Sequence, residues 1–175
     1  AVGDEAFAVF LPDDIIWSEI PTIGRMMDIF GEFGGSVIAV REVPDERVPS
    51  LGIIDARQLD RDVYEVAGLV EKPSLRDAPS NLAIIGRYVL TPQIFEVLEK
   101  TLAGAIGEIQ ITDAISQLLS TQKVYAYRFP GDHFDVGTPM GLLKASVHAA
   151  LQREELADEL REWLTESVGL QKEES

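Results

Sequence analysis

Apolar residues run along this chain first as short unbroken blocks and then at helical spacing, and the alternation of the two predicts the architecture. Ala6–Leu11 is almost wholly apolar and is closed by Pro12-Asp13-Asp14. That is the pattern of a strand buried on both faces of a parallel sheet. Pro21 opens a helical stretch with Ile23, Met26, Met27, Phe30 and Phe33 on one face, and Gly34-Gly35 ends it. Ser36–Val40 reads as the next buried strand, so the order is β-α-β, as in doubly wound sheets. The middle of the chain changes character. Gly52–Asp55 and Val63–Val70 are short apolar runs across a charged turn, which reads as antiparallel pairing, and Leu82–Leu90 is a further strand.

The last part returns to helices. Thr91-Pro92 starts one, with Ile94, Phe95 and Leu98 as its core face, and Thr112-Asp113 caps another carrying Ile115, Leu118 and Leu119. Val124–Phe129 alternates as a half-buried strand does, and Thr138-Pro139 repeats the capping device before a helix to about Leu151. A final amphipathic helix lines up Leu156, Leu160, Trp163 and Leu164, a stripe that needs covering by this domain or by a second subunit. The expected fold class is therefore α/β: a mixed, mostly parallel sheet with flanking helices and a small antiparallel insertion. The expected organisation is one domain over residues 1–151, followed by a C-terminal amphipathic helix and acidic tail over 152–175.

Composition narrows the chemistry. A formal net charge of -15 disfavours a nucleic-acid or anionic-membrane surface, since phosphate backbones demand a basic patch. It leaves room for a phosphorylated small molecule neutralised locally by a few lysines and a divalent cation. There is no cysteine, hence no disulfide framework and no thiolate metal site. No apolar run approaches the roughly 18 residues of a membrane span, and the first residues lack a basic n-region, so a cytoplasmic protein is expected.

Four runs carry candidate chemistry: FLPDDII (Phe10–Ile16), LVEKPS (Leu69–Ser74), SNLAIIGRYVL (Ser80–Leu90) and FDVGTP (Phe134–Pro139). Asp13 and Asp14 follow one predicted strand and Asp135 follows another short apolar stretch, with Gly137 allowing a sharp turn before a capped helix. Ligands of open α/β sheets bind at the carboxyl ends of strands, and two carboxylates from distant positions suit a Mg²⁺ ion shared with phosphate oxygens. Aspartate is also a common turn former, so the pair has a purely structural reading as well. Pro73 disfavours a helical Lys72, which predicts an extended strand end with Glu71 and Lys72 meeting different parts of one ligand. Gly52 allows close backbone approach to a ligand or makes a plain turn. Asn81 suits a sugar hydroxyl or a turn cap. His133 and His148 show no metal-ligand spacing, and no G-x-S-x-G or Cys-His arrangement supports acyl-enzyme chemistry.

Taken in order, LPDD, GII, VEKP, SNLAIIGRYVL, GEIQITDAI, YAYRFPG and FDVGTP closely resemble the bacterial UTP–glucose-1-phosphate uridylyltransferases, from about Phe7 to Leu151. The resemblance implies a Rossmann-like nucleotidyltransferase fold, shared with thymidylyl-, adenylyl- and guanylyltransferases of sugar phosphates. It implies Mg²⁺ as cofactor, held by Asp13 (Asp14 if the register slips) and Asp135. Glu71 then matches the residue that binds glucose hydroxyls, and Lys72 the catalytic residue that neutralises the sugar phosphate. Gly52 and Asn81 match sugar-pocket positions. UTP and glucose 1-phosphate are the implied partners, and a homo-oligomer is expected. The alternatives are a related thymidylyl- or adenylyltransferase, or a non-catalytic module binding a sugar phosphate or a partner. One departure stands out: the family's G-x-G-T-R triphosphate loop is not among these residues. The fold is accordingly expected to be incomplete, the C-terminal portion of the enzyme, inactive by itself.

Overall fold

The computed structural model describes residues 2–100 and 110–168, and within them the chain falls into two compact units. One comprises Ala1–Pro12 and Ile16–Asp132, the other Asp13–Ile15 and His133–Ser175. Whereas the sequence suggests a division after Leu151, the contacts group α4 (Pro139–Leu151) with α5 (Glu154–Val168) in the second unit.

The first unit is built on six strands in the order β1-β6-β3-β7-β5-β4: β1 (Phe7–Phe10), β6 (Leu82–Leu90), β3 (Ser36–Glu42), β7 (Val124–Arg128), β5 (Val63–Glu71) and β4 (Gly52–Asp60). β3 shows why a continuous apolar run suits this position. Val37 and Ala39 pack with Met26 and Ile29 of α1 (Thr22–Phe33) on one face of the sheet. Ile38 and Val40 pack on the other face with Ile94 of α2 (Gln93–Leu98) and Ile115 and Leu118 of α3 (Ile111–Leu118). Period-two side chains buried on both faces need no polar alternation. α1 stops where expected: Gly34 is left-handed at φ 76° and its N–H returns to Phe30 O at 2.8 Å.

The α/β class and flanking helices agree with the sequence, but the strand directions do not. Among the described pairings only β3–β7 is parallel; β1–β6, β3–β6, β4–β5, β4–β6 and β5–β7 are antiparallel. The mostly parallel sheet expected from the sequence is thus corrected. β6 inserts between β1 and β3 and runs opposite to both, and an apolar run reports burial without reporting direction. β1 is likewise not buried on both faces: it is the terminal strand in the sheet order, its exposure alternates, and Phe10 is 55% exposed. Conversely β7, read as half-buried, has four consecutive buried residues because β3 and β5 flank it.

The helices differ in detail. In α1 the buried stripe is Thr22, Met26 and Ile29, which leaves Met27 59% exposed. Thr91 does not cap α2; its hydroxyl meets Ser36 Oγ and Gln122 Nε2. Thr112 lies inside α3, whose N-cap is Gln110. A separate two-stranded sheet joins β2 (Asp14–Trp17) and β8 (Asp132–Asp135). In the second unit Thr138 caps α4 as expected, accepting from Gly141 N–H at 3.1 Å with Pro139 at the first helical position. The stripe of α5 stays partly open, with Leu156 and Trp163 exposed. Among the described residues no helix is long and apolar enough to cross a membrane.

Candidate functional site

In the first unit the β4–β5 hairpin does the positioning. Its register sets Gly52 opposite Glu71, bringing together two runs that lie apart in the sequence. A β-carbon on Gly52 would stand 2.9 Å from Thr112 Oγ1 and 3.1 Å from Glu71 Oε2. A glycine is needed here for close approach rather than for an unusual backbone angle, and the Glu71 carboxylate and the Thr112 hydroxyl share that approach. Thr112 is 5% exposed and sits on α3, the helix that Ala114, Ile115 and Leu118 anchor wholly buried, so its hydroxyl is a rigid wall.

Lys72 departs from the extended conformation expected before Pro73. Its φ is 47°, the one positive value among the described non-glycine residues, and its N–H donates to Leu51 O at 3.0 Å. A left-handed L-residue costs about 1–2 kcal/mol, and such strain gathers at functional positions. The geometric consequence is that Lys72 turns back rather than pointing away: Nζ lies 3.6 Å from Glu71 Oε1. With Lys72 half-exposed this ion pair contributes little stability. What it does is place a cation and a hydrogen-bond acceptor side by side.

Asn81 is not brought to this cradle. It is exposed just before β6, its carbonyl accepts from Val43 N–H at 3.0 Å, and Ile53 pairs with Ala83. Because that pairing is antiparallel, stepping from Ala83 back to Asn81 leads toward Asp55 and away from Gly52.

The second unit holds the carboxylates. Val136 N–H donates to Asp13 O at 2.7 Å, tying the Asp13 backbone to the turn after β8. A β-carbon on Gly137 would lie 3.2 Å from Asp135 Oδ1 and 3.4 Å from Asp13 Oδ2, so the two carboxylates flank one spot kept open by the missing side chain. Gly137 N–H also donates to Asp135 Oδ1 at 3.2 Å. Asp14, the alternative to Asp13, is engaged differently: His133 Nε2 donates to its Oδ1 at 2.5 Å. The first turn of α4 closes tightly beneath Asp135, since a β-carbon on Gly141 would overlap the Asp135 carbonyl oxygen at 1.7 Å.

Among the described residues no group of three or more His, Cys, Asp or Glu is disposed to hold a metal. Two converging carboxylates do not make a zinc cage, but they fit a Mg²⁺-like ion that draws its remaining ligands from phosphate and water. Sequence reasoning missed Thr112, read as a cap, and His133, dismissed for lack of ligand spacing. Neither had a local signal, because each acts through a residue far away in the chain. Of GEIQITDAI, Gly107–Ile109 lie outside the described residues.

Comparison with known proteins adds the following. The nucleotidyl transferase family profile matches residues 1–152. A UTP–glucose-1-phosphate uridylyltransferase of Staphylococcus epidermidis is 47% identical over 163 residues, covering 93% of this chain and 57% of the relative. One from Staphylococcus haemolyticus is 48% identical over 165 residues, with 94% and 57% covered. A solved UDP-glucose pyrophosphorylase in complex with UDP-glucose superposes with a TM-score of 0.83 at 42% identity, over 87% of this chain and 59% of that one. A UTP-bound enzyme of the same type from Acinetobacter baumannii gives 0.83 at 38% identity, over 95% and 58%. The chain thus spans 57% of the length of these curated relatives.

Proposed function

The chain belongs to the nucleotidyl transferase family, and from that premise we propose that it forms the sugar-phosphate and metal portion of an enzyme transferring a uridylyl group from UTP to glucose 1-phosphate. The observation that carries this reading is the likeness at 47% identity, across 93% of the chain, to a UTP–glucose-1-phosphate uridylyltransferase. The cradle of Gly52, Glu71 and Lys72 supports it, since it offers what a hexose phosphate needs.

In the reaction a phosphate oxygen of glucose 1-phosphate attacks the α-phosphorus of UTP. The bond from that phosphorus to the bridging oxygen breaks, and pyrophosphate leaves. A phosphate monoester has its second pKa near about 6, so the nucleophile is already anionic and needs no general base. Catalysis then consists of aligning two anions and offsetting their charge. Glu71 accepts from ring hydroxyls and fixes the sugar; the glycine at position 52 lets the Glu71 carboxylate stand close against the backbone beside Thr112. Lys72 lies against the phosphate. Asp13 and Asp135 hold the Mg²⁺, which when bound screens the two substrates from one another. The protein is cytoplasmic in this reading and a homo-oligomer, the latter supported by the exposed Met140, Leu142, Leu143 and Trp163 on α4 and α5.

Turnover belongs to the whole protein, because the triphosphate loop is not among these residues. Pyrophosphate release by the whole protein with UTP, dTTP or ATP tests the reading, with UTP expected to be fastest; faster turnover of dTTP or ATP would reject it. The isolated 175-residue chain is expected to bind glucose 1-phosphate but to release no pyrophosphate.

A further inference from the structure

We propose that Asp14 and His133 form a positioning pair for the neighbouring carboxylates, and that their hydrogen bond sets the geometry in which Asp13 and Asp135 hold a divalent cation. The inference rests on the metal reading above and deepens it.

His133 and Asp14 are 119 residues apart in sequence, yet Nε2 donates to Oδ1 at 2.5 Å with side chains only 12% and 18% exposed. Asp14 adjoins Asp13, and His133 stands two residues before Asp135. Fixing one pair therefore fixes the backbone of the other. Two further contacts stiffen the same stretch. Val136 N–H holds the Asp13 carbonyl at 2.7 Å, and the Phe134 ring rests 5.1 Å from that of His148 on α4.

The physical need for such a clamp follows from charge. Two carboxylates flanking one spot repel each other, and that repulsion works to spread them while no cation is bound. A site with only two protein ligands gains little from chelation, so its affinity depends on how well those two are held in place beforehand. Hydrogen-bonded partners behind metal ligands typically account for about 10- to 100-fold in affinity. Neither Asp14 nor His133 has to touch the ion.

Mn²⁺ is the probe, and its uptake by the 175-residue chain is followed from the electron paramagnetic resonance signal of the free ion, with folding checked by circular dichroism and Tm. The parent chain is expected to bind, and Asp135→Asn to abolish binding. Asp14→Asn, close in shape, and His133→Ala are expected to weaken Mn²⁺ by about 10- to 100-fold, as for other partners of metal ligands. His133→Gln keeps an N–H donor and should recover most of the loss. A merely structural role would lower Tm without changing the affinity of the folded protein. If the parent takes up no Mn²⁺, or Asp135→Asn binds normally, the metal reading fails and the positioning role falls with it. If those two behave as expected while folded Asp14→Asn binds like the parent, the metal reading stands and the positioning pair is rejected. Should His133→Ala not fold, Asp14→Asn decides.

Discussion

Gly52→Ala is the substitution whose effect can be worked most fully from the structure. The added methyl carbon would sit 2.9 Å from Thr112 Oγ1, 3.2 Å from Thr112 Cγ2 and 3.1 Å from Glu71 Oε2. Optimal contacts between such atoms begin near about 3.5 Å, so something has to withdraw by roughly half an ångström. Thr112 is on a helix whose Ala114, Ile115 and Leu118 are wholly buried, which leaves it little freedom. Glu71, with about a fifth of its side chain exposed, yields instead. A hydrogen bond to a charged group is worth about 1.5–3 kcal/mol, and losing its alignment weakens glucose 1-phosphate by about 10- to 100-fold. Global stability should change by less than about 1 kcal/mol, because alanine is favoured over glycine in a strand by a similar amount. Calorimetric titration of the chain with glucose 1-phosphate measures the effect. The double variant Gly52→Ala/Thr112→Ala removes the immovable wall and should recover part of the affinity, a coupling that a double-mutant cycle reads directly. Affinity of Gly52→Ala within two-fold of the parent would show that Glu71 does not hold the sugar from this position.

Three other outcomes are expected. Lys72→Gly releases the strain of φ 47° and should raise stability by about 1 kcal/mol in thermal unfolding, while removing the ammonium should weaken glucose 1-phosphate by at least about ten-fold. Gly141→Ala puts a carbon onto the Asp135 carbonyl and should destabilise the chain by about 3 kcal/mol or more, seen as a lower Tm. Glu65 has its pKa held below the ordinary carboxylate value, first by its hydrogen bond to Lys123 and then by that to Arg57. A depressed carboxylate contributes stability above its unfolded pKa and loses it as pH falls through the folded one. Glu65→Gln should therefore lower Tm near neutrality and flatten its fall at acid pH, below about pH 5; an unchanged acid limb would mean the two ion pairs do not matter to folding.

Much of this molecule is written in local pattern. The strand Leu82–Leu90 has the bounds that its apolar run predicts. α1 ends at the glycine that can take a left-handed angle, and Thr138-Pro139 starts α4 as capping chemistry requires. Such features depend on residues a few positions apart, so the chain states them directly. The motif blocks were also legible, which is why the family could be expected before any geometry was known. The candidate site was legible only as names of residues. Gly52 and Glu71 were both singled out, but that they share one cradle depends on the hairpin register, and Thr112 enters it from a helix formed much later in the chain.

What tertiary structure alone decided were strand direction, exposure at the sheet margin and side-chain convergence. Periodicity measures whether a residue is buried; it carries no information about which distant segment buries it or which way that segment runs. β1 therefore looked like an interior parallel strand and is an antiparallel terminal one. Lys72 looked extended until the bond from its N–H to Leu51 O held it in the left-handed region and brought its ammonium to Glu71. His133 had no visible role until the pairing of β2 with β8 carried it across 119 residues to Asp14. In each case the deciding contact joins segments that no local window contains, and its free energy is gained only once the chain has folded.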